Sequence, residues 1–60
     1  MAIDWIEYEN GEYRAFSNEA PNQGIYVVVP PYIVVGEEIS FEIVDDMEQG
    51  IQYGKYIEPA

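Results

Sequence analysis

Apolar and polar side chains alternate along much of the chain, and a period of two residues is typical of half-buried β-strands. The clearest case is the segment 37–44, EEISFEIV, in which Ile39, Phe41 and Ile43 alternate with polar residues. No run of ten or more residues follows the 3.6-residue period of an amphipathic helix. The pattern therefore predicts short strands, with Ile39, Phe41 and Ile43 facing the core.

A β-hairpin is predicted around Asn10-Gly11, in the segment EYENGEY. A type I′ turn requires positive φ at both central residues, which Asn and Gly tolerate. This turn brings aromatic residues opposite each other and places Glu7 opposite Arg14, a favourable cross-strand pair. The predicted register is Trp5–Phe16, Ile6–Ala15, Glu7–Arg14, Tyr8–Tyr13 and Glu9–Glu12.

The segment 24–36, GIYVVVPPYIVVG, contains no charged side chain and is apolar at both alternating sets of positions. A strand that is apolar on both faces needs cover on both. Loops and bulky aromatic side chains are one possible cover, and a second copy of the chain is the other. The residues predicted to take part in self-association are Ile25, Tyr26, Val27, Val28, Val29, Tyr32, Ile33, Val34 and Val35.

Several breaks separate the remaining elements. The turn-rich segment 17–24 predicts a loop. Pro30-Pro31 predicts a bent extended passage, with a type VI turn containing cis Pro31 as the alternative. DDMEQG (residues 45–50) predicts an acidic turn of at most one helical turn. In the last strand, IQYGKYI, Gly54 predicts a β-bulge.

Composition agrees with strands, because the chain has eight Ile, six Val, six Tyr and no Leu. Turn signals recur about every 8 to 12 residues, a spacing typical of small β-folds. The sequence therefore predicts one all-β domain over residues 1–60, a small antiparallel five- to six-stranded barrel or sandwich built from hairpins. A sixty-residue chain without cysteine or histidine has neither disulfide nor zinc to stabilise it, so we expect a homodimer.

The residue inventory argues against catalysis. There is no Cys, His or Thr, and neither Ser17 nor Ser40 has an obvious general base nearby in the sequence. Neighbouring carboxylates such as Asp45 and Asp46 arise by chance among twelve acidic residues. DDMEQG also lacks the ligand spacing of a calcium-binding loop. We therefore expect no catalytic residue, no metal site and no cofactor.

The formal net charge is −10, and the cationic side chains are Arg14 and Lys55 alone. Such a chain repels nucleic acid, so direct nucleic-acid binding is not expected. The longest stretch without charge, residues 20–36, is short and contains three prolines, so no membrane span is expected. The N-terminus lacks the basic and apolar regions of a signal peptide. The expected location is the cytoplasm, which is the host cytoplasm if the protein is viral.

An acidic surface attracts basic grooves, which belong above all to proteins that bind DNA or RNA. In size and charge the chain resembles the small acidic inhibitors that phages direct against host nucleases and other defence systems. The charge predicts a basic partner, a nucleic-acid-binding enzyme or defence complex, whose basic site the protein blocks by nucleic-acid mimicry. Alternatives are a structural or assembly module, and charge that serves only solubility. The predicted acidic surface comprises Glu7, Glu9, Glu12, Glu37, Glu38, Glu42, Asp45, Asp46 and Glu48.

Overall fold

The chain folds into a single five-stranded β-sheet in the computed structural model, which describes residues 1–19 and 24–60. Residues 20–23 of the predicted loop lie outside the described part. The strands lie side by side in the order β1-β2-β3-β5-β4, and only β3 and β5 are parallel neighbours. The strands are β1 (Trp5–Glu9), β2 (Glu12–Phe16), β3 (Val27–Val29), β4 (Ile39–Asp46) and β5 (Ile51–Pro59).

The predicted all-β class is confirmed, but the predicted antiparallel barrel or sandwich is replaced by one mixed sheet that is not closed into a barrel. The sheet is open, mixed and single-layered, with β1 and β4 at its two edges. The difference arises after β3, where the apolar alternation of the run 24–36 is compatible with a further strand. There the chain turns instead, and the Ile33 amide donates to the Pro30 carbonyl at 3.2 Å. The segment 30–38 thus crosses one face of the sheet rather than adding a strand to it.

The β1–β2 hairpin has the register that the sequence predicts, from Trp5–Phe16 to Glu9–Glu12. Both turn residues have positive φ, 52° at Asn10 and 80° at Gly11, as a type I′ turn requires. The Trp5 and Phe16 rings stack with centroids 5.1 Å apart. Local turn chemistry is therefore sufficient to determine this part of the fold.

The core lies on the face that segment 30–38 and the N-terminal residues cover. Backbone hydrogen bonds join these two covering segments, because the Ile3 amide donates to the Glu37 carbonyl and the Gly36 amide donates to the Ile3 carbonyl. Six apolar residues are buried among those that the structure describes. They are Ile3, Ala15, Val27, Val29, Ile33 and Ile39.

β4 extends further than the covering segments. Ile39 is buried and Phe41 packs against the core, but Ile43 is 47% exposed although the alternation predicts that it faces inward. Ile43 does point toward the covered side, since it pairs with Gly54 of β5. It remains exposed because it lies beyond the reach of the cover.

The predicted bulge at Gly54 is also wrong. The register shift lies between Ser40 and Phe41 of β4, away from the glycine. A Cβ atom at Gly54 would lie 2.6 Å from Val27 Cγ2 and 2.9 Å from Phe41 Cδ2. Glycine is required there because side chains of the two neighbouring strands close over the β5 backbone.

Residues 47–50 form the turn between β4 and β5. The Gly50 amide donates to the Asp46 carbonyl at 2.8 Å, and Asp46 Oδ1 accepts hydrogen bonds from the amides of Glu48 and Gln49. The predicted acidic turn is thus an Asp-capped hairpin connection. The described residues include no helix long and apolar enough to span a membrane.

Candidate functional site

The sheet face opposite the core, here called the open face, has no covering segment among residues 1–19 and 24–60. The cross-strand register determines which side chains it carries, because paired residues point to the same side. Its centre is apolar and largely aromatic. The apolar side chains that it carries include Trp5, Phe16, Tyr26, Val28, Val44 and Tyr53.

Aromatic rings form a continuous line across the open face. The Trp5–Phe16 stack continues to Tyr26, whose ring centroid lies 6.2 Å from that of Phe16. Tyr26 in turn stacks on Tyr53 of β5 at 5.9 Å, with an angle of 11° between the ring planes. The line joins β1, β2, the residue before β3, and β5. Aromatic side chains are the residues most enriched at protein interfaces.

One row of side chains crosses all five strands of the open face: Glu7, Arg14, Val28, Lys55 and Glu42. In order along the row, the side chains are acidic, basic, apolar, basic and acidic. The two cationic side chains of the protein therefore lie on central strands, and carboxylates lie on the two edge strands. The open face has an apolar centre with an acidic rim.

Arg14 is held by carboxylates of its own hairpin. Its Nη2 lies 2.8 Å from Glu12 Oε1, its Nη1 lies 3.2 Å from Glu9 Oε2, and its guanidinium covers the Tyr26 ring at 4.4 Å. The hydrogen bond to Glu12 raises the pKa of the Arg14 guanidinium above its ordinary value. Arg14 therefore offsets the repulsion between Glu9 and Glu12, and the expected ion pair with Glu7 is wrong.

Glu7 instead accepts a hydrogen bond from Trp5 Nε1 at 2.9 Å. On the far side of the row, no carboxylate of the described residues lies within ion-pair distance of Lys55. The negative charge of the acidic rim is thus only partly neutralised by cationic side chains. The rim borders an open concavity of about 760 Å³ on this face. Asn10 and Glu12 line one side of the concavity, and Asp46 and Gln49 line another.

The chemistry of the face favours binding. In the part of the chain that the structure describes, no group of three acidic side chains converges as metal ligands would. Ser17 is buried, and its Oγ accepts a hydrogen bond from the Glu19 amide at 3.1 Å. What the open face offers is aromatic surface, hydrogen-bonding side chains and charge.

The predicted acidic residues do not form one patch. Five of them belong to the open face or border it, split between its two edges: Glu7, Glu9, Glu12, Glu42 and Asp46. The others lie elsewhere. Asp45 points to the opposite side and accepts from Gln52 Nε2 at 2.6 Å, and Glu48 lies in the turn. Glu38 lies 3.4 Å from the N-terminal amine, next to Glu37.

The predicted self-association residues also separate into groups. Val27, Val29 and Ile33 are buried in the core of the single chain, which leaves them almost no exposed surface. Ile25, Tyr26 and Val28 are half-buried, the last two on the open face. The other three are exposed along the covering segment 30–38, at 58% or more: Tyr32, Val34 and Val35.

Six residues of the open face were absent from the sequence-predicted sites: Trp5, Arg14, Phe16, Val44, Tyr53 and Lys55. The hairpin register already places Trp5 and Phe16 on the face opposite Ile6, which is a usable signal. Tyr53 and Lys55 reach this face through the pairing of β5 with both β3 and β4. The parallel half of that pairing joins residues far apart in sequence and has no local signal.

The fold and the open face together define a small single-sheet β-protein with an acidic rim and an aromatic surface that no other described segment covers. Comparisons with protein-family models, with curated proteins and with solved structures find no match for this chain. The functional argument therefore rests on the physical character of the site.

Proposed function

We propose that the protein is a non-catalytic acidic binding protein that docks through its open face onto a basic, nucleic-acid-binding site of another protein and blocks it. The partner is a nucleic-acid-binding enzyme or defence complex, met in the cytoplasm, or in the host cytoplasm if the protein is viral. The row of charges across the five strands supports this most directly. It gives an apolar centre and a charged rim, the usual anatomy of a protein interface.

The charge balance favours a basic partner over nucleic acid itself. The net charge of −10 repels phosphates, and Arg14 is already bound by two carboxylates. An acidic rim accelerates encounter with a basic groove and disfavours acidic competitors. The aromatic line supplies the buried contacts that hold such a complex once it has formed.

Capture from a lysate of the protein's native cells, at low and high salt, tests the proposal when two charge-matched double variants are compared. Glu7→Gln with Glu42→Gln removes two charges from the rim. Glu19→Gln with Glu38→Gln removes two charges beside the N-terminal segment, where these carboxylates contact Ala2 and Met1. Both pairs change the net charge equally.

We expect the rim variant to bind the captured partner more slowly and with a flatter salt dependence, while the control behaves like the wild type. Added nucleic acid should displace the partner from the wild-type protein. Equal binding by both double variants, or no displacement by nucleic acid, would mean that the charge serves solubility alone.

A second candidate function, an assembly module, is favoured by one observation. Tyr32, Val34 and Val35 expose apolar surface on the outside of the covering segment, remote from the acidic rim. A homodimer or larger complex formed through these residues would be strengthened by salt, because salt screens the repulsion between acidic copies. Light scattering at low and high salt, with Val34→Glu and Val28→Glu as the variants, distinguishes this contact from one on the open face.

A further inference from the structure

We propose that the outer edge of β4 accepts an extended basic segment of the partner as a sixth strand of the sheet. The inference rests on the proposed function for the sign of the partner's charge, and it adds a mode of binding to it. Strand addition uses backbone hydrogen bonds for affinity and side chains for specificity.

The N-terminal residues of the chain already pair with the beginning of this edge. The Ile39 amide donates to the Met1 carbonyl, and the Met1 amine donates to the Ile39 carbonyl, both at 2.9 Å. Ala2 forms an isolated bridge with Glu38. Beyond Ile39, no strand of the described residues pairs with this edge, so residues 41–46 are open. A new strand would continue the line that the N-terminal segment begins.

Strand alternation identifies the available backbone groups. The backbone groups of Ile39 point outward to Met1, whereas the Asp46 carbonyl points inward and accepts from the Gly50 amide. Successive residues of a strand direct these groups to opposite edges. Phe41, Ile43 and Asp45 therefore present their amides and carbonyls outward. The other edge strand, β1, has five residues, whereas the six residues 41–46 of β4 are open, so β4 offers the longer free edge.

The negative charge along β4 determines which kind of strand can pair with its open edge. Glu42, Asp45 and Asp46 lie along the open part of β4. Glu42 and Asp45 are exposed, and Asp46 is half-buried. A second copy paired at this edge would place carboxylate opposite carboxylate, which is destabilising. Acidic edges of this kind prevent pairing between copies of one chain. A segment with alternating Lys or Arg would instead place positive charges beside these carboxylates. The proposed sixth strand is therefore basic.

The test uses an eight-residue peptide of alternating Lys and Val, with a Glu-Val peptide of equal length as the control. Backbone amide exchange of the full-length protein is followed by NMR. We expect the Lys peptide to slow exchange at Phe41, Ile43 and Asp45 at least tenfold when it is near saturation. Exchange at Glu42 and Val44, which face β5, should change little. High salt should reverse the protection, and the Glu peptide should give none.

Ile43→Pro removes one outward donor, and Ile43→Ala retains it. Proline is tolerated on edge strands where the amide faces solvent. If Ile43→Pro does not fold, the exchange pattern of the wild-type protein alone tests whether the peptide pairs with the edge of β4. Loss of protection in Ile43→Pro but not in Ile43→Ala supports strand addition. No protection at all, or Lys-peptide contacts confined to the aromatic residues of the open face, would overturn it. Neither of these outcomes removes the proposed function, which is tested separately by the rim variants and by displacement with nucleic acid.

Discussion

Gly54 connects three strands at a single residue. It pairs with Val27 of β3 on one side and with Ile43 of β4 on the other, and it is buried. The lack of a side chain allows Val27 and Phe41 to approach each other above the backbone. The sequence places a glycine in a strand here, which marks either a bulge or a close approach. Only the partner strands decide between the two.

Gly54→Ala should destabilise the protein by about 1–3 kcal/mol, because the added methyl group overpacks a closed space. Urea denaturation measures the change. In a Val27→Ala background the 2.6 Å contact with Cγ2 is gone, so the same substitution should cost less. Strictly additive effects of the two substitutions would contradict the assigned clash.

The phenol of Tyr56 should make the stability of the protein depend on pH in the alkaline range. Burial raises the pKa of its phenol above the ordinary value, and Tyr32 and Glu37 add to the effect. The unfolded chain then ionises first, so the stability contributed by neutral Tyr56 is present below about pH 10 and lost as pH rises further. In urea denaturation at a series of pH values, Tyr56→Phe should lose stability less steeply above pH 10. Tyr8→Phe, at an exposed position, is the control, and equal slopes in wild type and Tyr56→Phe would contradict the argument.

At the scale of elements, the β1–β2 hairpin was predictable in register but not in its ion pairs. The Asn10-Gly11 turn determines which residues are opposite, and this places Glu7 across from Arg14. The arginine side chain is long enough to reach the diagonal residue Glu9 and also Glu12, two positions back along its own strand. The register therefore predicts which residues are cross-strand neighbours. The length of the side chain and the competing partners determine which ion pairs form.

Arg14→Met should destabilise the hairpin more than Lys55→Met, although both remove one positive charge from the open face. The first leaves Glu9 and Glu12 opposite each other without a cation between them, and the second breaks no ion pair of the described residues. Urea denaturation at low and high salt provides the comparison. The excess loss in Arg14→Met should shrink in high salt, and an equal loss in both variants would indicate that Arg14 acts only through net charge.

At the scale of the whole molecule, the all-β class follows from alternation and composition, but the architecture does not. The parallel pairing of β3 with β5 joins Val27 to Gly54, and nothing local signals a contact so distant in sequence. The segment after Pro30-Pro31 is apolar enough for a strand, yet it covers the core. Among residues 1–19 and 24–60, cover for the run 24–36 lies on one face of the sheet only. The other face is the candidate site.

The docking surface proposed above is this open face. Photo-crosslinking in the native cells tests it, with the photoreactive residue benzoylphenylalanine placed either at Val28, in the centre of the open face, or at Val34, on the covering segment. Position 28 should cross-link to a nucleic-acid-binding protein, and added nucleic acid should reduce the yield in lysate. Position 34 should not cross-link to that protein. Cross-links to the same protein from position 34 and none from position 28 would contradict the claim.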